Sequence, residues 1–344
     1  MPRLSVVIST LGMHASLERV LAGYERQEAD RDAFEVVVAV DRADPEPETV
    51  DRLLEGRSYP ASRVTGRIPG LSANRNAGWR AAASPLVLFT DNDTIPAPGL
   101  VSQHLAWHRD NPSDEVAVLG HVRWAPELRS TTFMRWLDRG IQFDYPNIEG
   151  VEAGWGRFYG ANVSVKRALL QRVGGFEEER LPYGYEDLDW ARRAADEGLR
   201  VLYNRDAVVD HLRPMTLEFW QRRARRVAIS ELQFVRMHPD VTPHFHRLFT
   251  RAASQPRARG RGRHLAPAVP GWVPWLGPKV WLSVDRYYKQ QIAPHFLAAW
   301  NEAAALGAVD GLVQPDLSER DASASASDPP GERSSSGSPP GGPK

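Results

Sequence analysis

Two carboxylates stand two residues apart in Asp91-Asn92-Asp93, directly after the apolar run Leu86–Thr90. In an extended chain residues i and i+2 project to the same side, roughly 7 Å apart. Such carboxylates repel each other unless a cation or hydrogen-bond donors lie between them. A hard divalent ion, held by one or two carboxylates and completed by phosphate oxygens, suits this spacing. Ligands of α/β sheets sit beyond the carboxyl ends of the strands, where this motif falls. The plain alternative is an acidic turn that caps the next helix.

Four further segments carry chemistry-bearing residues. In Gly70-Leu-Ser-Ala-Asn74-Arg75-Asn76-Ala-Gly78, Ser72 can cap a helix whose first turns present Asn74, Arg75 and Asn76. An arginine there reaches an anion or a base carbonyl, and a capped surface helix is the alternative. Asp41 follows the run Phe34–Val40, where its carboxylate can accept from a ligand N–H or simply make a turn. Tyr183-Gly184-Tyr185-Glu186-Asp187-Leu188-Asp189 puts three acids at the start of a helix. The helix dipole favours acids at that end, but a carboxylate poised to take a proton from a hydroxyl fits as well. His211 ends the run Ala207–His211, and its interest depends on the Asp91–Asp93 pair.

These residues need a frame. Leu4–Thr10, Phe34–Val40, Leu86–Thr90 and Val116–His121 read as strands buried on both faces. Ala15–Gln27, Pro47–Glu55, Ser72–Ala83 and 98–110 read as the helices between them. This alternation predicts a largely parallel α/β sheet. Residues 122–184 read as long loops, followed by the helix Glu186–Glu197 and two short strands, Val201–Tyr203 and Ala207–His211. Thr216–Met237 is a long basic helix, 251–271 a flexible basic loop and Pro278–Leu306 an aromatic helical segment. Residues 318–344 are Ser, Pro, Gly, Ala and charge, and are expected to be disordered.

Composition sets the outer limits. The chain has 344 residues, 42% of them apolar and 25% charged, enough for a large core. Forty-three basic and 43 acidic residues cancel, which argues against nucleic acid (duplex DNA) or an anionic membrane surface as the main partner. With no cysteine, thiolate metal sites, disulfides and Cys nucleophiles are excluded. That fits a cytoplasmic location. No apolar run is long enough for a membrane span. The basic helix and loop read first as solvated faces, with a polyprenyl phosphate or a membrane surface as the peripheral alternative. There is no Walker A loop, and no glutamate in the zincin position beside His104 and His108.

Taken in order, Leu4–Thr10, Asp41, Gly70–Gly78, Asp91–Asp93, Gly160-Ala161-Asn162, Val173–Phe176, Glu186-Asp187 and His211 resemble the family 2 glycosyltransferases. The resemblance covers about residues 3–240. It implies a GT-A fold: a Rossmann-like, mixed and mostly parallel sheet flanked by helices, here with a C-terminal helical extension. On that pattern 1–122 is the donor-binding half and 123–240 the acceptor and catalytic half, with 241–317 the extension and 318–344 the tail.

The resemblance further implies a nucleotide-diphospho-sugar donor, with a UDP-sugar favoured over GDP- or dTDP-sugars. It implies a divalent metal, Mn²⁺ or Mg²⁺, and a hydroxyl acceptor. Thr10, Asp41, Arg75, Asn76, Asp91, Asn92, Gly160 and Asn162 fall at donor or cleft positions. Asp93, with Asp91 and His211, falls at the metal. Asp187 matches the catalytic base, with Glu186 beside it on the acceptor side. Inversion at the anomeric carbon follows from a metal on one side and a base on the other.

Two departures stand out. Asp41 is followed by Arg42-Ala43 rather than a second acid. Gln221 is followed by Arg222-Arg223-Ala224-Arg225, without the Arg-Trp of processive synthases, which predicts transfer of one sugar at a time. A nucleotidyltransferase and a non-catalytic sugar-nucleotide-binding relative are the competing readings.

Overall fold

The computed structural model describes residues 1–258, 260–266, 268–269 and 273–307. The expected disordered tail and Arg259 of the basic loop lie outside the described residues.

The chain runs β1 (Leu4–Thr10), α1 (His14–Tyr24), β2 (Phe34–Val40), α2 (Glu48–Leu54), β3 (Ala61–Thr65) and α3 (Leu71–Ala81). It continues through β4 (Leu86–Asp91), β5 (Thr94–Pro96), α4 (Leu100–Asp110), β6 (Val116–Trp124), α5 (Thr132–Leu137), β7 (Asn162–Lys166) and α6 (Arg167–Val173). The last elements are α7 (Glu186–Asp196), β8 (Arg200–His211), α8 (Leu217–Met237), α9 (His244–Ala253), α10 (Gly262–Leu265) and α11 (Leu276–Leu306).

The strands form one sheet in the order β3-β2-β1-β4-β7-β6-β8-β5. β1 pairs in parallel with β2 and β4, β2 with β3, and β6 with β8. β7 runs antiparallel to both its neighbours, and β5 antiparallel to β8. The sheet is therefore mixed and mostly parallel. Alternation along β1 sends Leu4, Val6 and Ile8 into one core and Val7 into the other. Both faces of the central strands are thus covered, as their unbroken apolar sequences require.

β4 and β5 are joined by only Asn92 and Asp93, yet stand four places apart in the sheet. A flat sheet would separate them by about 19 Å, and three Cα steps reach only about 11 Å. The sheet must therefore curl back on itself. A register shift between Leu119 and His121 bends β6 against β8, and their far ends swing round to meet β5. Thr94 then pairs with His211, which closes the sheet around the Asp91–Asp93 turn.

The structure corrects the sequence reading in several places. Val201–Tyr203 and Ala207–His211 are parts of one strand, β8: its pairing with β6 breaks after Tyr203 and resumes at Val208, and Asn204 Oδ1 spans the break by accepting the Asp206 N–H at 3.0 Å. The stretch 122–184 is not all loop: it holds α5, β7 and α6. β3 and β5 were not expected; they are five and three residues long and lie at the sheet's two edges. The described part of 251–271 includes the end of α9 and all of α10.

A third core lies outside the sheet. α5, α8, α9 and α11 bury Trp136, Phe219, Trp220, Phe249, Tyr288 and Phe296 together. Thr216 caps α8 by accepting from the Phe219 N–H at 3.1 Å. That cap fixes where the long basic helix begins, beside the open end of the sheet.

Candidate active site

At the carboxyl ends of β1, β2 and β4 a cleft of about 970 Å³ opens under the third core. Ten of the twelve residues singled out from sequence line it: Thr10, Asp41, Arg75, Asp91, Asn92, Asp93, Gly160, Glu186, Asp187 and His211. Asn76 and Asn162 do not. The Asn76 amide is used up on Phe176, Glu178 and Trp79. Asn162 donates to Ala207 O at 2.9 Å and its Oδ1 meets His104 Nε2 at 3.0 Å, with no exposed surface left. Both are framework residues in this structure.

Asp41 ties the second strand to α3. Its Oδ2 accepts from Gly70 N at 2.9 Å, Asn74 Nδ2 at 3.0 Å and the Tyr183 hydroxyl at 3.0 Å. Its Oδ1 accepts from Ala43 N at 2.8 Å. α3 approaches β1 closely enough that a Cβ on Gly78 would collide with Val7. That approach carries Arg75 to the floor of the cleft.

Arg75 is 3% exposed and sits between acids from two parts of the chain. Its Nη1 donates to Glu186 Oε1, and its Nη2 lies 3.6 Å from Asp91 Oδ1. Burial pushes the Glu186 carboxyl up while Arg75 pulls it down. Removing Arg75 would leave the buried Glu186 carboxyl without its ion-pair partner, at a cost of about 3–5 kcal/mol. Gly160 packs against the same guanidinium so closely that a Cβ there would overlap it.

Asp91 is pushed up to about 6, first by burial; Arg75 opposes the shift and the neighbouring Asp93 and Asp187 charges add to it. Asn92 turns inward and donates to Thr10 Oγ1 at 2.8 Å, which locks the turn onto the end of β1. Asp93 points into the cleft. Its Oδ2 lies 3.8 Å from His211 Nε2 and 3.9 Å from Arg213 Nε. Among the described residues its carboxylate makes no hydrogen bond within normal range.

Such an electron-rich, under-satisfied carboxylate fits a hard divalent cation. His211 fits less directly. Burial lowers its affinity for a proton, which favours the neutral ring. Its Nδ1 accepts the Arg213 backbone N–H at 3.2 Å, which assigns the ring proton to Nε2, on the Asp93 side. Ligation through Nε2 requires that proton to move to Nδ1.

Asp187 is the second residue of α7, next to Glu186. Its Oδ2 accepts from Gly160 N at 3.1 Å and its Oδ1 from Leu188 N at 2.8 Å. Glu186, next to it, is 3% exposed and already committed to Arg75. The turn before α7 is held from outside. Tyr185 has φ 64° and donates to Glu231 Oε1 of α8 at 2.7 Å. Sequence reasoning missed Glu231, and also Arg139, Arg213 and Lys289 of the lining; Arg223 and Arg226 were visible only as members of a basic helix.

The sequence matches the family model described as Glycosyltransferase like family 2 over residues 2–229. It is 27% identical over 280 residues to the validoxylamine A glucosyltransferase of Streptomyces hygroscopicus subsp. limoneus, covering 70% of this chain and 58% of that protein. The chain thus spans under two thirds of that relative's length. Its structure is similar to the mannosyltransferase PcManGT of Pyrobaculum calidifontis, solved with GDP-Man and Mn²⁺ (TM-score 0.52, 22% identity, 94% of this chain and 84% of that one). It is also similar to residues 1–349 of S. aureus TarS, solved with UDP-GlcNAc (TM-score 0.51, 14% identity, 89% and 92% covered). These likenesses are of fold: a mixed, mostly parallel sheet of the GT-A type.

Proposed function

The chain belongs to glycosyltransferase-like family 2, and on that footing we propose that it is an inverting, metal-dependent glycosyltransferase that moves one sugar from a nucleotide-diphospho-sugar to an acceptor hydroxyl. One observation carries the reading: a single cleft gathers Asp91, Asp93 and His211 from the curled end of the sheet with Arg75 and the Asp187 carboxylate.

Asp93, with Asp91 beside it, would hold Mn²⁺ or Mg²⁺. When bound, the cation supplies charge neutralisation to the departing diphosphate. Asp187 receives the proton of the attacking hydroxyl, which contributes roughly 10²–10⁴-fold. Its two backbone N–H donors keep the carboxylate fixed in orientation. Glu186 acts at one remove: it holds Arg75, and Arg75 faces the donor. A nucleobase N–H can use the second lone pair of Asp41 Oδ1 or take the place of Tyr183 on Oδ2. The donor base is taken as uracil first, with GDP- and dTDP-sugars as alternatives. α8 lacks a tryptophan at the spacing used by processive synthases, which supports single transfers.

The test is a thermal-shift panel of UDP, GDP, dTDP and CMP, with and without Mn²⁺, on the wild type and Asp93→Ala. A ligand at 100 times its Kd stabilises by about 2.7 kcal/mol. One nucleotide should stabilise only with metal, and Asp93→Ala should abolish that shift. No shift with any nucleotide would overturn the proposal.

A further inference from the structure

Between Asp240 and Asp285 the chain has no acidic residue, although acids make up 43 of its 344 positions. The same stretch holds six arginines and one lysine. It also carries four of the seven large apolar side chains that stand exposed among the described residues: Leu265, Trp275, Leu276 and Leu282. Cations without anions and apolar groups without cover therefore coincide in one part of the fold.

The geometry joins them into a face. Lys279 and Leu282, three residues apart in the first turns of α11, project to one side, and the exposed Trp275 stands immediately before the helix. Trp275 is 84% exposed and Leu282 60%. The opposite side, with Val280, Trp281 and Val284, is buried in the third core. α10 lies against this same turn: a Cβ on Gly262 would meet Ser283 Cβ at 2.9 Å. That contact sets the exposed Arg261 and Leu265 beside the stripe.

A tryptophan loses by standing in water, but it is favoured at a membrane–water boundary, where its ring is apolar and its N–H stays wet. Arginine and lysine around it attract anionic headgroups. A second copy of the chain is a poor occupant, because a two-fold contact would set this cationic face against itself. We infer that the α10–α11 face docks on an anionic lipid bilayer, with Trp275 and Leu282 at headgroup depth and Lys279 and Arg261 on lipid phosphates. The inference does not depend on the catalytic reading.

The test is co-sedimentation of the full chain with vesicles of phosphatidylcholine alone and of roughly one part phosphatidylglycerol to two of phosphatidylcholine. Wild type should bind the anionic vesicles, and salt should weaken the binding. Trp275→Ser/Leu282→Ser should lose about tenfold or more with an unchanged unfolding midpoint, since both side chains are exposed. Lys279→Glu keeps the apolar contact and should lose about twenty-five-fold, on anionic vesicles only, because it changes the charge by two units at about fivefold each. No binding to either vesicle overturns the inference. So does a double variant that binds like wild type, or binding that ignores both lipid charge and Lys279→Glu. Self-association in sedimentation that the double variant abolishes overturns it too, because the face would then belong to a second copy.

Discussion

The Tyr185 hydroxyl donates to Glu231 across 46 residues of sequence, and the same carboxylate accepts the backbone N–H groups of Phe245 at 2.7 Å and His246 at 2.8 Å. Glu231 is 1% exposed. It therefore fastens the first turn of α9 and the left-handed residue before Glu186-Asp187 to one point on α8. A non-glycine residue at positive φ persists only where its surroundings hold it.

Glu231→Gln keeps one acceptor oxygen and leaves a half-buried N–H without its partner. The expected loss is about 1–3 kcal/mol, read from urea unfolding. Turnover should fall further than donor affinity, because the loosened turn carries Asp187. A variant as stable and active as wild type would show that the carboxylate anchors nothing.

Gly160→Ala should be more harmful than its size suggests. The added methyl overlaps the Arg75 guanidinium and must push it off Glu186 and Asp91. About 1–3 kcal/mol of stability should be lost by overpacking, and nucleotide-induced stabilisation should shrink with it. The paired measurement is thermal unfolding with and without nucleotide.

Asp187→Asn removes the proposed proton acceptor while keeping the shape. Turnover should drop by about 10²–10⁴-fold, and the nucleotide-dependent thermal shift should stay as in wild type. Loss of the shift as well would place Asp187 in donor binding instead.

His104 and His108 share the Ser164 hydroxyl at 2.7 and 2.8 Å inside the sheet–α4 interface. Burial lowers His104 to about 4, against the help of Asn162. Burial, then Lys166 and His104, lowers His108 to about 3. Unfolded, each takes a proton near 6.5, so between that value and the folded one the unfolded state binds more protons. Stability is thus full above pH 6.5 and falls as pH drops, by up to about 1.4 kcal/mol per pH unit for each histidine. Urea midpoints from pH 7 to 4.5 should fall less steeply in His108→Gln than in wild type. Equal slopes would remove the pair from the acid response.

The legible parts of this protein were those where one short run of residues settles the outcome. Phe34–Val40 is apolar at every position but Glu35, so its burial on two faces could be read directly. Asp91, Asp93, Arg75 and Asp187 stand at the ends of such elements, and their shared cleft follows from the sheet. What stayed hidden depends on distant partners. β5 is a strand because β8 lies beside it, and three residues carry no period of their own. Asn76 and Asn162 have the right types at the right places, yet their amides are spent on the framework, which no local pattern reveals. Glu231 looked like one more polar residue on a basic helix until Tyr185 and α9 converged on it.

The curl of the sheet also sets a timetable. Among the described residues, β5 finds its one ladder partner in the last three positions of β8, more than a hundred residues later in the chain. At synthesis rates of about 5–20 residues per second, Asp91 and Asp93 leave the ribosome at least several seconds before His211 exists. During that interval the two acids sit on an unclosed edge. A nascent or truncated chain that stops short of β8 would carry much of the cleft wall's sequence with none of its enclosure, so ligand capture should arrive abruptly, with the closing of one strand.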